Sequence, residues 1–223
     1  MNPLTPIPPI PPAAEHGIAL TERVIASVEA DPHRPILDYS AWAGPWLTGE
    51  PQPLAAGRPA EAVFPSGRPL PPSLRRWLAF DTGLLRRFGW LDEDDRFTPR
   101  PLGELARDEL GELWGSCFDG VSDRFDECFL LPGGSDSRRV LVTGVGDAHG
   151  EYPVLALDVD DIPCVELMYP GLDVYLADTC GLLTVEGEGY SALARNPVYA
   201  RRMLTHAQQL FGGEFAEECF PDL

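Results

Sequence analysis

The sequence contains no lysine: all 17 of its basic residues are arginine. Together with abundant alanine, proline and glycine, that bias is the mark of a GC-rich genome rather than of a function. Against the arginines stand 35 Asp and Glu, for a formal net charge of -18 at pH 7. A field of that sign repels phosphate backbones and anionic lipid, which argues against nucleic-acid and membrane-surface partners. It attracts basic partners with salt-sensitive kinetics. An acidic composition also simply keeps a protein in solution, and charge alone does not decide between the two.

Histidine and cysteine are scarce, at 4 and 5 residues. Cys117, Cys128, Cys164, Cys180 and Cys219 are odd in number and include no C-x-x-C pair. This argues against a disulfide framework and a zinc knuckle, and predicts reduced, mostly buried thiols. No apolar run is long enough to span a bilayer. The first residues lack a basic n-region and are interrupted by proline, unlike a signal peptide. The expected compartment is the cytoplasm.

What is present reads as one α+β domain. Residues 1–13 form a Pro-rich arm, expected to be extended or disordered. Residues 14–223 are expected to make a single domain, and 223 residues can bury roughly 70% of the unfolded surface without a staple. Ile18, Leu20, Val24, Ile25 and Val28 predict a helix over 14–30. Residues 35–69 have weak helix and strand signals, but Trp42, Trp46 and Phe64 predict a segment wrapped over the core. Pro71, Pro72 and Ser73 open a helix with Leu74, Trp77 and Leu78 inside, ended near Gly83. Leu102 to Trp114 predicts another, broken at Gly111.

From Cys128 the period shifts toward two. Strands are expected at 129–131, 140–145, 152–159, 164–169 and 172–176, joined by short breaker-rich links. Consecutive strands with short turns imply a mostly antiparallel (mixed) sheet meander flanked by helices. In the 152–159 strand, Leu155, Leu157 and Val159 form a packed face and Val154, Ala156 and Asp158 a semi-polar one. A closing helix runs from Pro197 to Phe211, capped by Asn196. Its inner stripe is Tyr199, Met203, Ala207 and Leu210, joined by Ala200, Leu204 and Phe211. Gly212 and Gly213 end it, and an acidic tail follows.

Several fragments resemble active sites and fail on chemistry. Gly144-Val145-Gly146 has His149 where a dinucleotide-binding turn needs its third glycine, and another strand follows instead of a helix. His149, Glu151, Pro163 and Cys164 resemble part of a zinc-deaminase pattern, but Leu167 replaces the second thiolate. No G-x-S-x-G elbow is present. Asp158, Asp160, Asp161 and Glu166 have no D-x-D-x-D-G loop, so a solvated hairpin is favoured over a calcium site. No catalytic, cofactor-binding or metal-binding residue is therefore expected, and the candidate partner-binding set is Asp147, Glu151, Asp158, Asp160, Asp161 and Glu166.

The order of elements carries a resemblance. Leu-Pro-Pro-Ser-Leu-Arg-Arg-Trp-Leu at 70–78 precedes the break at Gly83. A Gly-Asp-rich turn at 144–150 leads into Tyr-Pro-Val-Leu-Ala-Leu-Asp at 152–158, a strand at 165–169 and Leu-Ala-Asp at 176–178. Over about residues 70–183 this resembles the SUKH superfamily, which includes bacterial immunity proteins and fungal cell-wall-synthesis regulators. The sequence departs from the family pattern in a longer 90–128 stretch and in a closing helix that comes later. The resemblance implies a mixed sheet flanked by helices, no catalytic machinery, and a protein partner. Many bacterial members are similar to antidotes that block toxins, often nucleases with basic surfaces. The expectation is thus an immunity-type protein that neutralises a basic toxin domain. The alternatives are a regulatory or scaffold protein without a toxin partner, and an enzyme whose site is assembled only in space. Nothing in the sequence fixes the oligomeric state.

Overall fold

The structure, a computed structural model, describes residues 15–36, 44–55, 57–58, 62–133, 137–160, 162–187 and 189–220. The Pro-rich arm, Trp42 and Asp161 lie outside the described residues. Helix α1 (Gly17–Ala30) buries Leu20, Val24, Ile25 and Val28, one face of a 3.6-residue period. Residues 44–55 and 62–71 then wrap over the core as expected, with Trp46 and Phe64 fully buried. The Trp46 and Trp77 rings sit 5.7 Å apart, and Arg87 holds the wrap by donating to Pro45 O at 2.7 Å.

Helix α2 (Pro72–Leu78) carries proline in its first turn and buries Leu74, Trp77 and Leu78. It ends at Ala79, before Gly83. Gly83 instead opens α3 (Gly83–Arg87), because Asp81 accepts the Leu84 N–H at 3.1 Å and stabilises a new helix start there. Helices α4 (Leu102–Leu110) and α5 (Glu112–Gly115) are separated at Gly111, whose φ of 82° cannot continue a helix. A 3-10 turn (Ser116–Phe118) and α6 (Asp119–Ser122) follow.

The sheet is an antiparallel meander of β1 (Cys128–Leu131), β2 (Ser137–Val142), β3 (Val154–Asp158), β4 (Cys164–Tyr169) and β5 (Ala216–Glu218), in that spatial order. Helices cover both faces. On one, Arg138 donates to Glu109 O of α4 at 3.2 Å. On the other, which carries Arg139, Phe129 packs on Trp90 at 4.6 Å. A register shift at Val154/Leu155 turns Tyr169 onto that same face. There Tyr169 meets Tyr175 edge-on at 5.5 Å.

Three expectations are corrected. Strand β3 has no semi-polar face: Val154, Leu155, Ala156 and Leu157 are all buried because the strand is central and covered twice. Residues 172–176 belong to a helix, α7 (Leu172–Thr179), in which Leu172, Val174, Tyr175, Leu176 and Ala177 are all buried. A short run that is buried all round, with Asp173 its one polar residue, shows no period that separates strand from helix. The acidic tail also supplies β5, which pairs with β4 from Cys164↔Glu218 to Glu166↔Ala216.

The closing helix, α8 (Ala200–Phe211), ends on left-handed Gly212 as expected. Asn196 accepts the Val198 N–H at 2.9 Å, in the turn just before it. Its buried stripe is Tyr199, Arg202, Met203, His206 and Ala207, and Leu204 is 45% exposed instead of inside.

Candidate functional site

Two groups of carboxylates emerge, and the expected contact set is split between them. The first surrounds Arg202. This guanidinium donates to Asp173 at 2.8 and 3.0 Å as a two-pronged pair, and to Asp147 through its Nε. It also reaches Pro170 O at 3.3 Å. Asp147 sits in the β2–β3 turn, where it accepts the N–H groups of His149 at 2.8 Å and Glu151 at 3.1 Å. Asp173 accepts the Gly17 N–H, at the start of α1, at 2.6 Å. Glu151 accepts the Ser73 N–H at 2.9 Å and its hydroxyl, near the start of α2. Helix starts leave N–H groups unpaired and attract negative charge, so carboxylates remote in sequence cap α1 and α2.

His206, fully buried, lies 3.1 Å from Pro170 O and 3.9 Å from Asp147. At the rim, the rings of His16 and exposed His149 stack at 4.4 Å, and His16 Nδ1 is 3.2 Å from Arg202. Gly171 is required for space: a Cβ there would meet Asp173, lie 2.6 Å from Arg202 and 2.7 Å from Glu151. Its φ of 178° is ordinary extended backbone.

Burial governs the protonation of this group. It pushes the Glu151 carboxyl up to about 8, with Asp173 adding to the rise and the Ser73 hydrogen bonds opposing it. Burial also acts to raise Asp173, but Arg202 and the Gly17 and Val174 N–H groups hold it below the usual carboxylate value. His206 is lowered by burial, against the pull of Asp147, which favours a neutral ring. His16 is lowered by burial, then by Arg202 and His149.

Asp147 and Glu151 are therefore not exposed contact residues. They are 8% and 0% exposed and already bonded to groups of the chain itself. The sequence pattern missed their partners Ser73, Asp173, Arg202 and His206. A signal was present in α8, where Arg202 and His206 occupy core positions of an otherwise apolar stripe. A buried arginine requires acidic partners.

The second group is less buried: Asp160 and Glu218 are exposed, and Asp158 and Glu166 are half-buried. Asp158 and Asp160 lie at the β3–β4 turn, and Asp160 N–H donates to Asp158 at 3.1 Å. Glu166, on β4, accepts the Ser191 N–H at 2.7 Å from the 3-10 segment Tyr190–Arg195. The register of β3, β4 and β5 places Asp158, Cys164 and Glu218 side by side on one face, with Glu166 two residues along. Burial first, then Asp158, Glu166 and Glu218, push the Cys164 thiol up to about 11. Glu218 was not among the expected residues, because β5 was not. None of the ion pairs among the described residues involves Asp158, Glu166 or Glu218. Asp161, the remaining expected residue, lies outside the described residues.

A cavity of about 320 Å³ opens on the Arg139 face, lined by Arg34, Ile36, Arg139, Tyr169, Asp178 and Cys180 among others. The Tyr169 hydroxyl donates to Asp178 at 2.6 Å, and Arg34 donates to Cys180 O at 2.7 Å. The five cysteines are free thiols, four buried and Cys164 half-buried. Among the described residues no group of three or more His, Cys, Asp or Glu is placed to hold a metal ion. Nor is any helix among them long and apolar enough to cross a membrane.

No protein-family model and no curated protein matches the chain. A solved structure of an uncharacterized protein from Salmonella enterica subsp. enterica serovar typhimurium str. 14028s is similar, with a TM-score of 0.56 and 17% sequence identity. The match covers 89% of this chain and 94% of that chain. At that identity the likeness shows a shared α+β fold and nothing about activity.

Proposed function

We propose that the chain is a non-catalytic protein-binding module with a basic partner, acting as an immunity protein that neutralises a cationic toxin domain. The observation that carries this is the acidic group of exposed Asp160 and Glu218 with half-buried Asp158 and Glu166, on a chain of net charge -18. Asp147, Glu151 and His206 are buried and bonded within the chain, which leaves the less buried acidic group as the surface offered to a partner. A nuclease needs a basic surface to hold nucleic acid. An acidic protein that covers such a surface gains association rate from electrostatic steering, and that rate falls as salt screens the field.

The test is to look beside the gene for an encoded basic toxin domain and to measure association with it at low and high salt. Binding that slows by roughly tenfold or more between 50 and 500 mM salt is expected. Absence of binding, or an association rate indifferent to salt, overturns the proposal.

A further inference from the structure

The geometry points to the open edge of β5 as the acceptor for an extended, basic segment of a partner protein. This rests on the function proposed above and adds where and how the partner is held. The two edges of the sheet differ. At the β1 edge the outward groups are satisfied within the chain. Arg100 N–H donates to Cys128 O at 3.1 Å, Cys128 N–H to Arg100 O at 3.0 Å, and the Trp90 indole to Leu130 O at 2.5 Å.

Among the described residues the β5 edge has no such cover. Leu167 N–H donates to Phe215 O at 2.7 Å, and Cys219 N–H donates to Pro163 O at 2.6 Å. Residues 215, 217 and 219 thus turn their backbone groups toward β4. By antiparallel alternation, Ala216 and Glu218 turn theirs outward. Both residues are exposed, and among the described residues no strand lies beyond β5.

An open edge is a template for strand addition. Its side chains select the occupant. Glu214 and Glu218 are exposed, and on the same sheet face Glu166 is paired with Ala216 while Asp158 lies one strand further, beyond Cys164. A second copy paired edge to edge would set glutamates opposite glutamates, which is unfavourable. A strand carrying arginine or lysine at alternate positions would set cations against them instead. Where that strand runs past Cys219 it meets Phe220, 64% exposed, beside Ile162, 48% exposed. An apolar residue fits there.

The probes are a short peptide alternating arginine with valine, the same peptide N-methylated at alternate residues, and the basic toxin domain. Amide hydrogen exchange is followed at Ala216 and Glu218 in the folded protein. We expect the arginine–valine peptide and the toxin domain each to slow both amides by roughly tenfold or more. The N-methylated peptide lacks the edge donors and should bind more weakly. Ala216→Pro removes an outward N–H while leaving the bonds of Phe215 and Cys219 to β4, and should weaken binding roughly fivefold to tenfold. Should that variant unfold, the exchange measurement on the unaltered protein still decides. If the toxin domain binds but Ala216 and Glu218 exchange as in the free protein, strand addition is wrong and the binding function stands. If the domain does not bind at any salt, both fall.

Discussion

Replacing Arg202 by alanine tests the view that the buried network holds the fold together. The arginine neutralises Asp147 and Asp173, whose side chains are both 0% exposed. Removing it leaves two carboxylates in the interior with no cation. Breaking a buried ion pair by deleting one partner costs about 3–5 kcal/mol. For a chain of this size, each kcal/mol corresponds to about 2–4 °C in Tm, so a fall of roughly 6–20 °C is expected. Urea and thermal unfolding followed by circular dichroism measure both quantities. The dependence on pH adds a second check. In the native protein the Asp173 carboxyl is held below its unfolded value, so its contribution is present above that value and lost as pH falls through the folded one. Without Arg202, burial acts on the Asp173 carboxyl with less to oppose it and its ionised form destabilises the fold, so the gap between variant and native protein should narrow toward acid pH. The triple change Asp147→Asn, Asp173→Asn and Arg202→Met, which removes charge from both sides, should recover part of the loss. A deficit below about 1 kcal/mol, or one that stays constant with pH, would refute a stabilising role for the network.

Two further predictions concern the same core and its surroundings. Glu151 titrates near 8 when folded and near 4.5 when unfolded, so the native state binds the extra proton and stability should fall as pH rises through that window. Buried neutral His206, whose unfolded value is 6.5, opposes this on the acid side, where stability falls as pH drops below that value. Between 6.5 and 8 only the Glu151 decline remains, and Glu151→Gln should flatten it in urea titrations across pH. In α5, a Cβ on Gly115 would lie 2.6 Å from the backbone nitrogen of Arg107. Gly115→Ala should therefore destabilise by about 1–3 kcal/mol through overpacking, whereas Gly120→Ala, with nothing within 4 Å, should be neutral or slightly stabilising. Equal effects from the two substitutions would contradict the packing argument.

The parts of the fold that were legible in the sequence are those where period and punctuation agree. The apolar stripe of α1, the proline start of α2, the break at Gly111 and the β2–β3–β4 meander all combine a hydrophobic period with a turn or cap signal. The misread elements lack one of the two. Residues 172–176 are buried on every side, Asp173 included, so no period of exposure separates helix from strand. β5 consists of Ala216, Glu217 and Glu218, whose side chains alternate weakly in exposure, and its pairing with β4 depends on tertiary placement alone. Arg202 and His206 were readable as charged positions on an inward stripe, but their partners lie 29 to 186 residues away in the chain. No local pattern could name Asp173 or Ser73.

The acidic turns at either end of β3 show why a shared sequence character led to two structural outcomes. Asp147 and Glu151 precede the strand and Asp158 and Asp160 end or follow it. All four sit in glycine- or aspartate-rich links that read alike. What separates them is a pair of helices: α8 brings Arg202 to Asp147 across 55 residues, and α2 brings Ser73 to Glu151 across 78. At the far end, no ion pair among the described residues involves Asp158 or Glu166, and there the carboxylates of β3 and β4 are joined by Glu218 instead. Five residues of β3 separate the two ends by about 16 Å, more than a Debye length at physiological salt. Substitutions of Asp158, Glu166 or Glu218 should consequently leave the Arg202 network intact. Losses of partner binding in those variants can then be assigned to the contact surface, while losses in Arg202 variants report on the fold.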